Sequence, residues 1–158
     1  MLYTIRQDLS RIAKPTLFNA LKGYFIPRCE CFDFIVWLRI LQWMRQQNHT
    51  HLFLITWPLS FAVYLIYRHF EFKYGIHPNA NIEIGPGFRP VHGPCHLNAT
   101  RIGSNFTVYP GVTIGINKGG VPTIGNNVTI YTNAVVCGPI TLQDGAIVRA
   151  LEYLGHDR

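Results

Sequence analysis

The sequence predicts a mainly β chain, a parallel β-helix preceded by an α-helical segment, and three observations predict it. Aliphatic residues recur at every sixth position from residue 84 onward. The texture changes near residue 75, from long apolar runs to Gly, Asn, Pro, Thr, Val and Ile. Ahead of that point the apolar residues keep helical spacing instead.

The six-residue frame carries most of the argument. In "IGSNFTVYPGVTIG" Ile102, Val108 and Ile114 stand six apart, a period that fits neither a strand, which repeats every two residues, nor a helix, which repeats every 3.6. Extended in both directions the frame runs Ile84, Pro90, His96, Ile102, Val108 and Ile114, then after four extra residues Ile124, Ile130, Val136, Leu142 and Val148. Only Pro90 and His96 break the aliphatic rule. Four residues further on in each unit stand Phe88, Pro94, Thr100, Phe106, Val112, Val128, Ala134, Ile140 and Ala146, mostly small or apolar. Each unit therefore reads as a short strand and a corner, three units close a triangular coil, and stacked coils bury the sixth-position side chains in a column. On this frame His96 points inward as a core histidine.

The four extra residues fall in "GINKGGVPTIG", which leaves the frame as a projecting loop that Gly119 and Gly120 make possible. A prism of this kind has open ends that need cover. The first half of the chain is placed to cover one of them.

In that half, "CFDFIVWLRILQWMRQQ" sets Phe34, Trp37, Leu38, Leu41 and Met44 on one side of a helix and Arg39, Gln42, Arg45 and Gln46 elsewhere. The next run, "LFLITWPLSFAVYLIYRHF", is uncharged for 16 residues from Leu52 to Tyr67. That is short of the roughly 20 residues a spanning helix needs, and Pro58 interrupts it. It reads first as a helix packed in a helical subdomain or subunit interface. The second reading lays residues 52–70 in a membrane surface, with Trp57, Tyr64 and Arg68 near the headgroups. The expected organisation is a helical segment at 1–75, a β-helix at 76–150 and a non-repeat tail at 151–158. "LEYLGHDR" leaves the hexad there, which suggests a truncated or frame-shifted product.

Charge narrows the partners. Residues 1–75 hold nine Lys/Arg against four Asp/Glu, and the remainder five against four. No basic block or aromatic-basic motif of a nucleic-acid binder occurs, so a membrane surface or an acidic small molecule is the better partner class. Cys29, Cys31, Cys95 and Cys137 lack paired CxxC spacing and read as reduced thiols rather than a metal or redox centre. "MLYTIRQDLSRIAK" has no secretory h-region, which points to the cytoplasm. The sequons "NAT" and "NFT" then read as turn asparagines.

"DFIVWLRILQWMR", "KYGIHPNANIEIGPGF", "PGVTIG" and "VPTIGNNVTIYTNAVV" together resemble the hexapeptide-repeat acyltransferases, in particular the branch of serine acetyltransferases and capsular polysaccharide O-acetyltransferases. The resemblance implies a left-handed β-helix, an exception to the right-handed crossover rule, assembled as a homotrimer with acetyl-CoA between adjacent prisms. It also implies a histidine general base just after "IGPGFRPV", at His92, and places Gly115 and Thr132 along the pantetheine arm. A neutral imidazole is the usual base for a hydroxyl near pH 7, and corner N–H groups could steady the oxyanion. Lys118, in the projecting loop, could meet a CoA phosphate as a point charge.

The departures shape the acceptor. The family's aspartates before the histidine and before "IHP" fall at Val91 and Gly75, and the loop histidine that grips the substrate carboxylate falls at Val121. Losing these charges while keeping His92 favours a sugar hydroxyl over serine, and leaves His92 without an acidic orienter unless Glu83 or a neighbouring subunit supplies one. The expected function is therefore an acetyl-CoA-dependent O-acetyltransferase acting on a sugar or polysaccharide precursor. Serine O-acetyltransfer and a catalytically incomplete prism are the alternatives. A metal-dependent hydratase needs three converging histidines, which His92 and His96 do not supply.

Overall fold

The structure is a computed structural model and describes residues 1–12, 14, 16, 19, 31–47, 53–79 and 81–155, without the side chains of 47 and 53–57. Cys29, the Trp57 side chain and residues 156–158 of the tail lie outside the described residues. Among the described residues three helices, α1 (Leu2–Ser10), α2 (Phe32–Gln47) and α3 (Phe53–Tyr74), precede thirteen strands of two or three residues each. These are β1 (Ile76–Pro78), β2 (Glu83–Ile84), β3 (Arg89–Pro90), β4 (Cys95–Leu97), β5 (Arg101–Ile102), β6 (Thr107–Val108), β7 (Thr113–Gly115), β8 (Thr123–Ile124), β9 (Thr129–Ile130), β10 (Val135–Cys137), β11 (Thr141–Leu142), β12 (Ile147–Val148) and β13 (Tyr153–Gly155).

Every third strand stacks on the last. The first sheet is β1-β4-β7-β10-β13, the second β11-β8-β5-β2 and the third β12-β9-β6-β3, all parallel. This is the left-handed β-helix of the hexapeptide-repeat fold, about four coils long. The hexad explains its core: Ile102 lies over Ile124, Val108 over Ile130 and Ile114 over Val136, each almost wholly buried. Side-chain ladders line the corners as well, including Asn79 to Asn98 at 2.8 Å and Asn105 to Asn127 at 3.0 Å.

The frame differs from the expected one at one corner. Leu97, not His96, lies beside Ile114 and fills the column, while His96 is exposed. Between Val91 and the buried Cys95 stand three residues, His92, Gly93 and Pro94. The matching corners hold two, Pro110 and Gly111 before Val112, and Thr132 and Asn133 before Ala134. A one-residue shift in a strand exchanges its faces. Cys95 and Leu97 therefore turn inward, His96 outward, and Pro94 and Thr100 are exposed instead of filling the second apolar rank.

The tail differs too. Leu154 stands six residues after Val148, lies beside Val136 and packs on the core, so the hexad continues into β13. Pro58 does not end α3, which runs through it. Near a helix start a proline removes one backbone bond, here to the Leu54 carbonyl, and the helix tolerates it.

The open first coil is covered as expected, by a device the helical pattern did not reveal. Arg39 on α2 is buried, not on a solvated face. Its guanidinium donates to both Asp8 carboxylate oxygens at 2.7 and 3.0 Å and to the carbonyls of Ile84 and Gly85 at 2.5 and 2.7 Å. Asp8 in turn accepts from the Gly87 and Phe88 amides at 2.7 and 2.8 Å. One buried ion pair thus satisfies both donors and acceptors of the coil's exposed edge, the groups that would otherwise invite another chain.

The second apolar run forms α3, which buries Val63, Tyr67 and Glu71 while exposing Leu59, Phe61, Leu65 and Phe72. Among the described residues no helix is long and apolar enough to cross a membrane.

Candidate active site

His92 projects from the enlarged corner between β3 and β4 and is exposed. The corner is backed by the end of α3: a Cβ at Gly93 would overlap the Tyr74 carbonyl oxygen, so only glycine lets the chain pass this close. That helix end is itself fixed, because the Tyr74 hydroxyl donates to Asp33 on α2 at 2.8 Å and Lys73 pairs with the same oxygen at 3.2 Å. Burial pushes the Tyr74 hydroxyl up to about 12, so it stays a donor at neutral pH. His92 itself has no hydrogen bond or ion pair among the described residues.

Thr132 occupies the same corner two coils further along, half-buried, with its carbonyl accepting from the Leu151 amide at 3.0 Å. Gly115 and Lys118 lie at the next corner, where the four extra residues form a tight hairpin closed by Asn117 and Gly120 amides at 3.0 and 3.1 Å. Lys118 and Gly119 both adopt left-handed backbone there, at φ +47° and +77°. A Cβ on Gly115 would meet nothing within 4 Å, so its strand borders open space.

The four expected site residues are therefore not gathered by one prism. His92 and Thr132 stand where the chain enters the first sheet, and Gly115 and Lys118 where it leaves. Three-residue strands at about 3.3 Å per residue put the two corners roughly 10 Å apart. Glu83 does not serve His92 either, since it lies on β2 in the second sheet.

The sequence reading missed a second group of histidines on the outer face of that first sheet. His77 and His96 are register partners on β1 and β4 and stack with ring centroids 5.0 Å apart and planes 20° from parallel. His77 Nδ1 lies 3.0 Å from Glu71, a buried carboxylate also paired with Arg68 at 2.7 Å. The available signal was Arg68 and Glu71 at i and i+3 on a helix that ends just before "IHP". Among the described residues no cluster of three or more His, Cys, Asp or Glu could hold a metal.

Cys95 is buried, and burial pushes its thiol up to about 12, which keeps it protonated and unfit as a nucleophile. Cys137 lies beside the hairpin, where it and the Asn117 amide both donate to the Tyr153 hydroxyl at 3.3 Å.

No protein-family model matches the chain, and no curated protein sequence matches it. Solved structures do. A serine O-acetyltransferase from Brucella melitensis, described as a bacterial transferase hexapeptide repeat, superposes with a TM-score of 0.69 at 16% identity, over 97% of this chain and 63% of that one. Serine acetyltransferase isoform 3 from Entamoeba histolytica, in complex with cysteine, gives 0.63 at 16% identity, over 99% and 59%. The serine acetyltransferase of Neisseria gonorrhoeae, in complex with serine, gives 0.55 at 18% identity, over 97% and 65%. This chain thus spans less than two thirds of each, and what it shares with them is the fold, a hexapeptide-repeat β-helix behind a helical segment.

Proposed function

We propose that the chain is an acetyl-CoA-dependent O-acetyltransferase with His92 as general base and a sugar or polysaccharide-precursor hydroxyl as acceptor. The observation that carries this reading is the exposed His92 on an enlarged corner, backed by a fixed helix end, within a fold shared with three acetyltransferases. Neutral His92 takes the acceptor's hydroxyl proton as the oxygen attacks the thioester carbonyl. The tetrahedral adduct then expels the CoA thiolate, and the imidazolium returns the proton to sulfur. No covalent enzyme intermediate is needed.

The open space beside Gly115 suits a thin pantetheine arm, Thr132 lies along the other corner, and Lys118 on its hairpin is placed to meet a phosphate. Because these residues occupy two corners, the reading includes a homotrimer in which one subunit's His92 corner faces a neighbour's hairpin corner. A cytoplasmic location belongs to the same reading.

Serine is the second acceptor reading, favoured by the three similar structures, all serine acetyltransferases. Against it, Val91, Gly75 and Val121 offer no charge to an amino acid, and Glu71 is committed to His77 and Arg68. The test is CoA thiol release from acetyl-CoA by the purified chain, with serine and a panel of nucleotide sugars, alongside His92→Gln. Sugar-dependent release that falls about 10²-fold or more in the variant is expected. Release with serine alone reassigns the acceptor, and no release above the variant's background leaves a catalytically incomplete prism.

A further inference from the structure

A cavity lies away from the His92 corner, between α2 and the outer face of the second sheet. It measures about 520 Å³, within the ~300–1,000 Å³ typical of sites that enclose small ligands. Its walls bring together Arg45 and Gln46 from α2, Asn81 and Glu83 from the first coil and Arg101 from the second. A smaller cavity of about 150 Å³ adjoins it, shares Gln42 and Gln46, and ends on Trp43, which is 43% exposed. The two form one groove along α2.

The chemistry of the walls is mixed in a specific way. Glu83 and Arg101 are register partners on neighbouring strands, yet neither they nor Arg45 enters an ion pair among the described residues. The groove therefore presents two guanidinium groups, one carboxylate and side-chain amides whose hydrogen-bonding capacity other described side chains do not consume. Gln42 is the exception and holds the wall in place: its carbonyl accepts from Arg39 at 2.8 Å and its amide donates to the Ile82 carbonyl at 3.3 Å. Arg101 also feels the Asp144 carboxylate, and the two guanidinium forks of the lining suit one anionic group. Adjacent acceptors and donors suit hydroxyls, which do both. The exposed indole offers an apolar face to a ring.

We infer that this groove binds an acidic saccharide, an oligosaccharide bearing carboxylates, with Arg45 and Arg101 on the carboxylate, Glu83 and the amides on hydroxyls and Trp43 under a flanking ring. This is a binding site and stands apart from acyl transfer, so its test needs no turnover. The full chain is titrated by calorimetry with trigalacturonate, with maltotriose as the uncharged match and with inorganic phosphate as the bare anion.

Saturable binding of trigalacturonate is expected, about tenfold tighter than maltotriose and weakened about tenfold in Arg45→Gln/Arg101→Gln. Trp43→Ala weakens it as well, while circular dichroism shows both variants folded. Absence of saturation with trigalacturonate overturns the inference. So does equal binding of maltotriose, phosphate binding as tightly as the oligosaccharide, or variants that bind like the parent chain.

Discussion

Replacing Arg39 by Met removes the central member of the cap on the first coil. The substitution deletes two bonds to Asp8, two to the Ile84 and Gly85 carbonyls and one to Gln42. Asp8, which is wholly buried, keeps only the Gly87 and Phe88 amides. At a net contribution of about 1 kcal/mol per bond the loss approaches 5 kcal/mol. Breaking a buried pair from one side costs about 3–5 kcal/mol by itself, because the remaining charge is stranded. The two estimates describe the same event and are not added. Against a total stability of about 5–15 kcal/mol, the variant should be close to unfolding. Urea titration followed by circular dichroism reads the change in midpoint at constant slope. The double variant Asp8→Leu/Arg39→Met should recover part of the loss, since no charge is then buried alone. A loss below about 1 kcal/mol in Arg39→Met would refute the claim that this pair holds the coil's edge.

Three further outcomes are expected. Gly93→Ala should destabilise the chain by more than ~1 kcal/mol in the same titration and lower any acyl transfer, because its methyl meets the Tyr74 carbonyl and must displace the His92 corner. Leu154→Asp should cost about 1–3 kcal/mol if β13 extends the core, and near zero if the tail is detached. Cys95 should resist iodoacetamide at pH 8, whereas urea-unfolded chain reacts. Its thiol ionises near 9.0 when exposed and near 12 when folded, so the unfolded state loses its proton first and stability falls as pH rises through that window. Cys95→Ala should flatten that part of the stability profile.

Much of the fold was legible because a β-helix is written as a one-dimensional rule. Ile102, Val108 and Ile114 predict their own burial, and the four extra residues predict a loop that leaves the frame, which the structure closes as a hairpin at Asn117–Gly120. His96 was misread because a frame can slip without any loss of apolar residues: Cys95 and Leu97 flank it and fill the positions as well as the expected ones. Leu154 was missed although it keeps the six-residue step from Val148 and is followed by Gly155, because Leu151, Glu152 and Tyr153 before it lack the Gly and Asn that mark most other corners. Arg39 falls off the apolar side in the sequence, and its burial is not foreseen, because helical periodicity reports which face is apolar and not which polar group a distant backbone edge needs. The ligand for its guanidinium is Asp8, 31 residues earlier. Spacing on one helix carries no signal of that partner.

The two histidine sites ask different things of the same sheet. His92 stands on a corner and pairs with no carboxylate among the described residues, whereas His77 has Glu71 at 3.0 Å and His96 stacked on its face. A carboxylate on Nδ1 fixes the tautomer that leaves Nε2 as the base, which makes His77 the better oriented imidazole. Burial argues the other way. His77 is a register partner beneath His96 and beside Phe72, at a ring-centroid distance of 6.2 Å, so its approach is crowded, while His92 is open to a large acceptor. His92→Gln and His77→Gln therefore separate orientation from access. If His92→Gln abolishes transfer and His77→Gln changes only stability, the Glu71–His77 pair is a brace between α3 and the prism. If His77→Gln abolishes transfer and Glu71→Gln shifts the pH-rate profile, the base sits on the sheet face and the corner histidine is peripheral.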